Sequence, residues 1–391
     1  GVIETGTAAL LEAYVGSNES GELLFTPEQL DAIAVEADKA GLQLHAHAIG
    51  DRAVLHPAEP FAPGDHWTGR IIDPFGRPLD GRPLLPGPDV VDVLRTPPPA
   101  AGRRPLGARL STGLAVLNTL LPMVEGQRLG LFAGSGVGKS RLLGQLARAM
   151  EADIVVLALI GERGREVNDF VTRVLGPEGM RRSVVVAATS DQSALVRRRC
   201  AWSAMAVAEH FRDAGRNVLF LADSVTRFAE AHRELAVSGG ELPALRGQPP
   251  SVTPMITGLC ERAGPGGEGQ GNITAIFTVL VAGSDMDEPI ADILRGVLDG
   301  HVVLSREIAE RGRYPAIDVG RSVSRSLPNA ASDGENVLIA ETRRLLGAYE
   351  QSEVMIKAGL YAEGADPMLD QAVRVWRDLD GFFGHVDTGG V

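Results

Sequence analysis

The chain has 391 residues, of which 44% are hydrophobic and 23% charged, a composition typical of globular proteins of roughly two or three domains. Its net charge of −12 argues against binding nucleic acid through phosphate neutralisation. No apolar run reaches the roughly 18 residues of a membrane span, and no export signal or disulfide framework is evident. We therefore expect a cytoplasmic protein with no integral membrane segment and no nucleic acid among its partners.

The N-terminal segment, residues 1–54, contains one predicted helix and one predicted strand. Thr26 can cap a helix over residues 26–40, Gly41 ends it, and the strand LQLHAHA follows. His45 and His47 alternate with apolar residues and share one face of that strand, where two imidazoles can bind a metal. A barrel metal site needs ligands from several strands. No further metal motif follows, so the sequence argues against working metal hydrolase chemistry.

Residues 55–106 are predicted to combine linkers with a little β-structure. Two proline-rich stretches, 55–66 and 94–106, enclose WTGRIIDPFGRPLDGRPLLPG. In this piece short apolar segments alternate with Gly-Arg-Pro turns, a pattern that predicts short strands.

Beyond residue 106 the pattern changes to strands that alternate with helices. The predicted strands are QRLGLFA, DIVVLALI, SVVVAAT, NVLFLAD and NITAIFTVLVAG. Such apolar runs suit a parallel sheet buried on both faces. The predicted helices of this region cover residues 139–150, 166–174, 193–213 and 286–297. The sequence therefore predicts an α/β domain over 107–328 and a helical domain over 329–391.

A nucleotide site is predicted at LFAGSGVGKS, residues 131–140, which follows a strand and opens a helix. Backbone N–H groups of such a turn point at phosphate oxygens, and the helix N-terminus adds its positive end. Lys139 would reach the β- and γ-phosphates of ATP, and Ser140 would bind Mg²⁺. The pattern normally begins with glycine, where this chain has Ala133. The predicted nucleotide-binding residues of this turn are Gly134, Ser135, Gly136, Val137, Gly138, Lys139 and Ser140.

Two other strands end in carboxylates that could complete this site. Asp223 ends NVLFLAD and would hold Mg²⁺ beside the phosphate loop. Glu162 follows DIVVLALI and would orient and polarise water, an effect worth about 10²–10⁴ in rate. Arg163, next to it, would sense the γ-phosphate.

Five motifs occur in an order and spacing that resembles one known family. They are AGSGVGKS, IGERGREVNDF, NVLFLADSVTRFAEAHRE, ITAIFTVLVAGSDMDEPIAD and RYPAIDVGRSVSRS. Residues 60–391 resemble the flagellum-specific ATPases of the type III export apparatus, which are relatives of the catalytic subunits of rotary ATP synthases. The resemblance implies a P-loop NTPase core of the RecA-like, rotary type, the remnant of an N-terminal β-barrel, and a C-terminal helical domain.

The resemblance also implies a role for each matching site residue. The phosphate-loop lysine, the magnesium hydroxyl, the catalytic glutamate, its neighbouring arginine and the magnesium-linked carboxylate match Lys139, Ser140, Glu162, Arg163 and Asp223. Arg227 matches an arginine of the nucleotide site, and Tyr314 matches the aromatic residue that stacks on adenine. Arg325 matches the arginine finger given to a neighbouring subunit, which can be worth about 10³–10⁵ in turnover.

An arginine finger that acts in trans requires a ring, and the family implies a homohexamer. The partners implied by the resemblance are a stator-like export regulator, a stalk protein, export chaperones with cargo, and the membrane export gate. The implied location is peripheral, at the inner face of the cytoplasmic membrane.

Residues 1–54 fall outside this resemblance. They resemble an internal piece of a metal-dependent amidohydrolase, in which the His of HAIGD, here His47, is a metal ligand. Because the other ligands are missing, His47 is only a vestigial metal-ligand candidate. The chain is therefore interpreted as a chimera joined near residues 54–60, either a natural fusion after a deletion or an artefact of gene prediction or assembly.

Four alternative functions stay open or are disfavoured by particular residues. Synthase catalytic subunits usually have GVGKT and GERTREGND, where this chain has GVGKS and GERGREVND. An RNA translocase of the transcription-terminator type would need an N-terminal barrel that binds single strands and basic pore loops, and neither is evident. A non-flagellar type III secretion ATPase and a ring-defective nucleotide-binding remnant remain open.

Overall fold

The structure is a computed structural model that describes residues 61–244, 247–281, 286 and 288–386. The predictions for residues 1–54, including the metal ligands His45 and His47, lie outside the described residues. Residues 236–241 group with a second unit, and the other described residues belong to one compact unit. In the described parts of the chain, no helix is both long and apolar enough to cross a bilayer.

One sheet organises the described residues. Its strands are β1 Ile71–Ile72, β2 Arg128–Ala133, β3 Ile154–Glu162, β4 Ser183–Thr189, β5 Val218–Asp223, β6 Gly264–Pro265, β7 Asn272–Leu280, β8 Gly300–Leu304 and β9 Ile317–Ser324. Their order is β1-β4-β3-β5-β7-β2-β8-β9, and β6 pairs with β7 beside this path. Only β6–β7 and β8–β9 pair antiparallel in the described sheet. The five predicted strands are confirmed as β2, β3, β4, β5 and β7.

Helices cover both faces of this sheet and form the C-terminal part of the chain. They are α1 Ala115–Thr119, α2 Lys139–Ala149, α3 Gly164–Asp169, α4 Gly176–Met180, α5 Ala194–Asp213, α6 Val225–Ser238, α7 Val252–Arg262, α8 Pro289–Val297, α9 Arg306–Glu310, α10 Asp333–Lys357 and α11 Pro367–Phe383. The helix predicted over 166–174 is part of a longer helical stretch in the structure, because a π-helical segment, Phe170–Leu175, joins α3 to α4. Gly164 begins it without a side-chain cap, so no start signal was visible.

The core lies in two layers, one on each face of the sheet. Because successive side chains of a strand point to opposite faces, Ile154 and Val156 of β3 join one cluster and Val155 and Leu157 join the other. The first cluster contains apolar residues of α5 to α8, and the second those of α1, α2, α10 and α11. This burial on both faces explains why the strands appear as continuous apolar runs.

Residues 61–106 contain less β-structure than predicted. The two-residue strand β1 pairs parallel with β4 at the edge of the sheet, and otherwise only isolated bridges occur in this described segment. Proline and glycine shorten strands because proline has no backbone donor and glycine has no side chain to pack. The predicted linker 94–106 is held in place, since Arg103 and Arg104 donate hydrogen bonds to backbone carbonyls of residues 261–271. The predicted domain boundaries stay predictions.

A buried ion pair joins α5 to the end of α7. Arg262 donates to both carboxylate oxygens of Glu209, at 2.9 and 2.7 Å, and the two side chains are 3% and 1% exposed. Glu209→Ala is expected to lower the free energy of unfolding by about 3–5 kcal/mol, because it leaves the Arg262 charge buried without its carboxylate. Urea denaturation measures the loss.

The matched control is Glu178→Ala, since Glu178 pairs with Arg181 on the surface, where both side chains are 75% exposed. This change is expected to alter stability by no more than about 0.5 kcal/mol. Equal effects of the two substitutions would contradict a structural role for the buried pair.

Candidate functional site

Most of the predicted site residues converge at the carboxyl ends of the parallel strands of the sheet. The phosphate loop follows β2, Glu162 ends β3, and Asp223 ends β5. These strands are parallel, so their carboxyl ends open on the same side, where ligands of α/β proteins commonly bind. The phosphate loop and Glu162 line a cleft of about 890 Å³, and the buried Asp223 lies beneath it in contact with Lys139.

The phosphate loop has a conformation that only its glycines adopt readily. Gly136 and Gly138 have φ angles of 78° and 88°, in the left-handed region where a Cβ causes strain. Gly138 immediately precedes helix α2, so the loop leads its backbone directly into a helix N-terminus. Loop N–H groups and the helix dipole together favour an anion at this point.

Lys139, the first residue of α2, connects the acidic members of the site. Its Nζ atom forms an ion pair with Asp223 and lies 3.8 Å from Oε1 of Glu162. Asp223 is buried and also accepts a hydrogen bond of 2.8 Å from the hydroxyl of Thr278 on β7. Lys139 therefore lies between two carboxylates.

The pKa of Glu162 is raised to about 7. Burial is the main cause because it disfavours the charged form, and the negative charge of Asp223 and a hydrogen bond with Glu166 act in the same direction. The Lys139 charge opposes them. A carboxyl group with a pKa near neutrality is suited to accept a proton from water.

Two arginines predicted for the site lie at the border of the cleft. Arg163 has an 82% exposed side chain, whose nearest ionic contact is Glu166 at 3.7 Å. Arg227, in the first turn of α6, donates to Glu230 at 2.9 Å, and its aliphatic carbons pack against Gly161. Both side chains line the cleft, but neither contacts Lys139 or Asp223.

Tyr314 reaches the phosphate loop from a distant part of the chain. A Cβ atom on Gly138 would lie 3.0 Å from Cε1 of the Tyr314 ring, closer than an ordinary contact, so the glycine lets the ring lie against the loop. The tyrosine is 36% exposed, which leaves part of its ring accessible to a ligand.

Arg325 lies outside this cleft. It donates to the backbone carbonyls of Leu298 and Arg295 at 3.1 and 3.0 Å, and it lines a separate groove of about 680 Å³ together with Arg109. The Arg325 of one chain therefore does not join the Lys139–Asp223 cluster of the same chain.

Sequence reasoning missed three side chains near the cluster. Thr278 binds Asp223, Glu166 contacts Glu162, and Arg141 lies over the ring of Tyr314. Neither Glu166 nor Thr278 had a sequence signal, because Glu162 ends strand β3 and shares no helix face with Glu166, and Thr278 is one of two threonines in the apolar strand β7.

Two family models match the chain. The model described as "ATP synthase alpha/beta family, nucleotide-binding domain" matches residues 113–324. The model described as "T3SS EscN ATPase C-terminal domain" matches residues 332–384. These spans contain the phosphate loop and the two long C-terminal helices, respectively.

Curated relatives match most of the chain. The flagellum-specific ATP synthase of Caulobacter vibrioides is 49% identical over 383 residues, which cover 96% of this chain and 83% of the relative. This alignment extends into residues 1–54, the segment predicted to be foreign to the family. The SPI-2 type 3 secretion system ATPase of Salmonella typhimurium is 43% identical over 389 residues, covering 97% and 89% of the two chains.

Solved structures show the same fold. The assembled ATPase EscN, in complex with its central stalk EscO, comes from the type III secretion system of enteropathogenic E. coli. It superimposes with a TM-score of 0.78 at 41% identity and covers 85% of this chain and 80% of that chain. The predicted α/β nucleotide-binding core and C-terminal helices are thereby confirmed.

Proposed function

The chain belongs to the ATP synthase alpha/beta family, and on this premise we propose that it hydrolyses ATP in a homohexameric ring that energises protein export through the flagellar type III apparatus. The single observation that best supports this proposal is the cluster of Lys139, Glu162 and Asp223 beside the phosphate loop. In this cluster Lys139 can bind phosphate, Glu162 can accept a proton from water, and Asp223 can bind a metal ion.

The donors present suit Mg²⁺, which prefers oxygen ligands. The Ser140 hydroxyl and the buried Asp223 carboxylate would hold the ion, and Lys139 would bind phosphate oxygens. Held there by Ser140 and Asp223, the ion would supply positive charge that offsets the charge of the phosphates. Lys139 pairs with Asp223, so nucleotide binding would exchange this contact for one with phosphate.

Glu162 is proposed as the residue that orients the attacking water and accepts its proton. Its raised pKa supports this role, because a carboxylate of ordinary pKa is a weaker base. Arg163 and Arg227, which line the same cleft, are proposed to contact the γ-phosphate after they leave Glu166 and Glu230.

The ring requirement can be tested by measuring Mg-ATP turnover per subunit against protein concentration. Turnover is expected to rise steeply as subunits assemble and then to level off, because Arg325 lies outside its own chain's cleft. EDTA is expected to reduce hydrolysis to background. A turnover that stays constant where size-exclusion chromatography finds monomers would contradict the ring.

Tyr314 is proposed to stack on adenine. Tyr314→Ala is expected to raise the KM for ATP by about 5–150-fold, since stacking of a base on an aromatic side chain is worth about 1–3 kcal/mol. Tyr314→Phe keeps the ring and is expected to retain a KM close to that of the wild type. Steady-state kinetics of both variants measures the difference, and a similar KM in both would exclude stacking.

The cellular role is proposed from relatives. The complex of EscN with EscO supports a stalk protein as a partner of this chain. An export regulator, chaperones with cargo, the membrane export gate and a cytoplasmic, peripheral location remain family-based proposals. The 43% identical SPI-2 ATPase favours a non-flagellar type III role as the second candidate. Gene deletion tests the choice, because a flagellar role predicts loss of filaments.

The origin of residues 1–54 as an amidohydrolase fragment also stays a proposal. The alignment of the Caulobacter relative into this segment favours the opposite view, that part of it belongs to the ATPase. Zinc analysis of the purified protein tests His47: stoichiometric zinc would support a retained metal site.

A further inference from the structure

Arg141 is a charged residue at the nucleotide cleft that the proposed mechanism does not use. It directly follows Ser140 in the first turn of α2, and its side chain is exposed and lines the cleft. Its guanidinium carbon lies 5.8 Å from the centroid of the Tyr314 ring. Within the described residues this guanidinium forms no hydrogen bond and no ion pair.

The contact with Tyr314 has the geometry of a cation–π interaction, which extends to about 6 Å. One edge of the ring rests against Gly138 of the phosphate loop, and the guanidinium lies over the ring itself. A base that stacks on this face must therefore displace the guanidinium. The flexible stem of arginine permits such a movement, and a flat guanidinium stacks on bases as well as on aromatic side chains.

The position of Arg141 favours the base over the phosphates as its target. Two carboxylates, Glu162 and Asp223, lie beside Lys139 at the phosphate loop and attract cations, yet Arg141 pairs with neither of them. Its guanidinium instead points to the ring at which adenine is proposed to bind.

We propose that Arg141 is a second base-binding residue, which lies over Tyr314 and moves onto the outer face of adenine when a nucleotide binds. The base is then held between the tyrosine ring and the guanidinium. This inference rests on the proposed ATPase function and names a further specificity-determining residue of the same site.

The test compares binding of Mg-ADP and of Mg-pyrophosphate, a ligand without a base, by calorimetry. Arg141→Val is expected to weaken ADP binding about 2–30-fold, the effect of a cation–π contact of about 0.5–2 kcal/mol, since the contact that the guanidinium gives up with Tyr314, at 5.8 Å, lies at the outer limit of that interaction. Pyrophosphate affinity is expected to remain within about twofold, because the lost contact is to the base. Arg141→Lys keeps the charge but not the flat group, so it is expected to lose preference for ADP over pyrophosphate as well.

Arg165→Val is the matched control, since it removes the same charge from an exposed side chain that does not line the cleft. It is expected to change neither affinity. An equal loss for ADP and pyrophosphate in Arg141→Val, restored in Arg141→Lys, would make Arg141 a phosphate contact and overturn the inference. Unchanged or tighter ADP binding by Arg141→Val would show that Arg141 only competes with the base for the Tyr314 ring, and it would also overturn the inference.

These outcomes are separable from failure of the proposed function. If the wild type binds ADP with the expected contribution of Arg141 but does not hydrolyse ATP, the ATPase proposal fails and the inference stands. If the wild type hydrolyses ATP and Arg141→Val binds ADP normally, only the inference fails. If the wild type binds neither ligand, both are wrong.

Discussion

Replacing Glu162 with glutamine is expected to lower ATP turnover by about 10²–10⁴-fold while ATP still binds. The amide keeps the size of the side chain and its place at the end of β3, but it cannot accept a proton from water. Loss of a carboxylate beside Lys139 and Asp223 also removes a repulsion from the site, so nucleotide affinity is not expected to fall.

Single-turnover hydrolysis with saturating Mg-ATP measures this effect without interference from product release. Binding of ATP to the same variant is measured separately by calorimetry. Glu178→Gln, on the exposed side of α4, makes the same chemical change away from the cleft and is expected to have wild-type turnover. If Glu162→Gln retains more than about a tenth of the turnover, another group activates the water.

Removal of the Arg325 side chain is expected to lower turnover by about 10³–10⁵-fold, the effect of an arginine finger. Because Arg325 lies in a groove separate from its own chain's cleft, Arg325→Ala is expected to leave ATP binding to the monomer unchanged. The substitution removes hydrogen bonds to the carbonyls of Leu298 and Arg295, so thermal unfolding must be measured beside activity.

Mixing of inactive variants tests whether the finger acts between subunits. Lys139→Ala has an intact finger and Arg325→Ala an intact phosphate loop, so a ring that contains both can form a complete site at their interface. Each interface of a ring joins the Arg325 surface of one subunit to the phosphate loop of the next. When equal amounts of the two variants mix at random, each of these two surfaces is intact in half of the subunits, so about one interface in four has both. Turnover is therefore expected to recover to at most about a quarter of the wild-type value.

The control mixture combines Lys139→Ala with the double variant Lys139→Ala/Arg325→Ala, in which no interface has an intact phosphate loop. It is expected to remain at background. Affinity tags on one variant show whether mixed rings form. Mixed rings of the two single variants that stay inactive would argue against a finger supplied in trans.

Local sequence patterns were sufficient for the elements of the core. The five apolar runs are strands because their residues alternate between two buried clusters, and the phosphate loop precedes α2 as its glycine pattern predicted. Two boundaries were less predictable. Gly164 begins a helix without a cap, and α8 begins at Pro289, three residues after the predicted start.

Side-chain partners were beyond such patterns because they depend on the order of the strands. Lys139 and Asp223 are 84 residues apart in the chain. They meet because Lys139 follows β2, Asp223 ends β5, and only β7 lies between these two strands. The same order places Thr278 of β7 against Asp223. Sequence alone could propose both ends of the Lys139–Asp223 pair, but it could not propose Thr278.

Neighbouring residues in the chain were enough to predict the strands, the glycine turn that admits a phosphate, and the carboxylates at strand ends. Which side chains meet became clear from the folded protein, where Lys139 lies between two carboxylates, Arg141 over Tyr314, and Arg325 in a separate groove. The physical reason is that backbone conformation follows from local sterics and hydrogen bonding, whereas contacts between distant residues follow from how the sheet and helices bury their apolar faces.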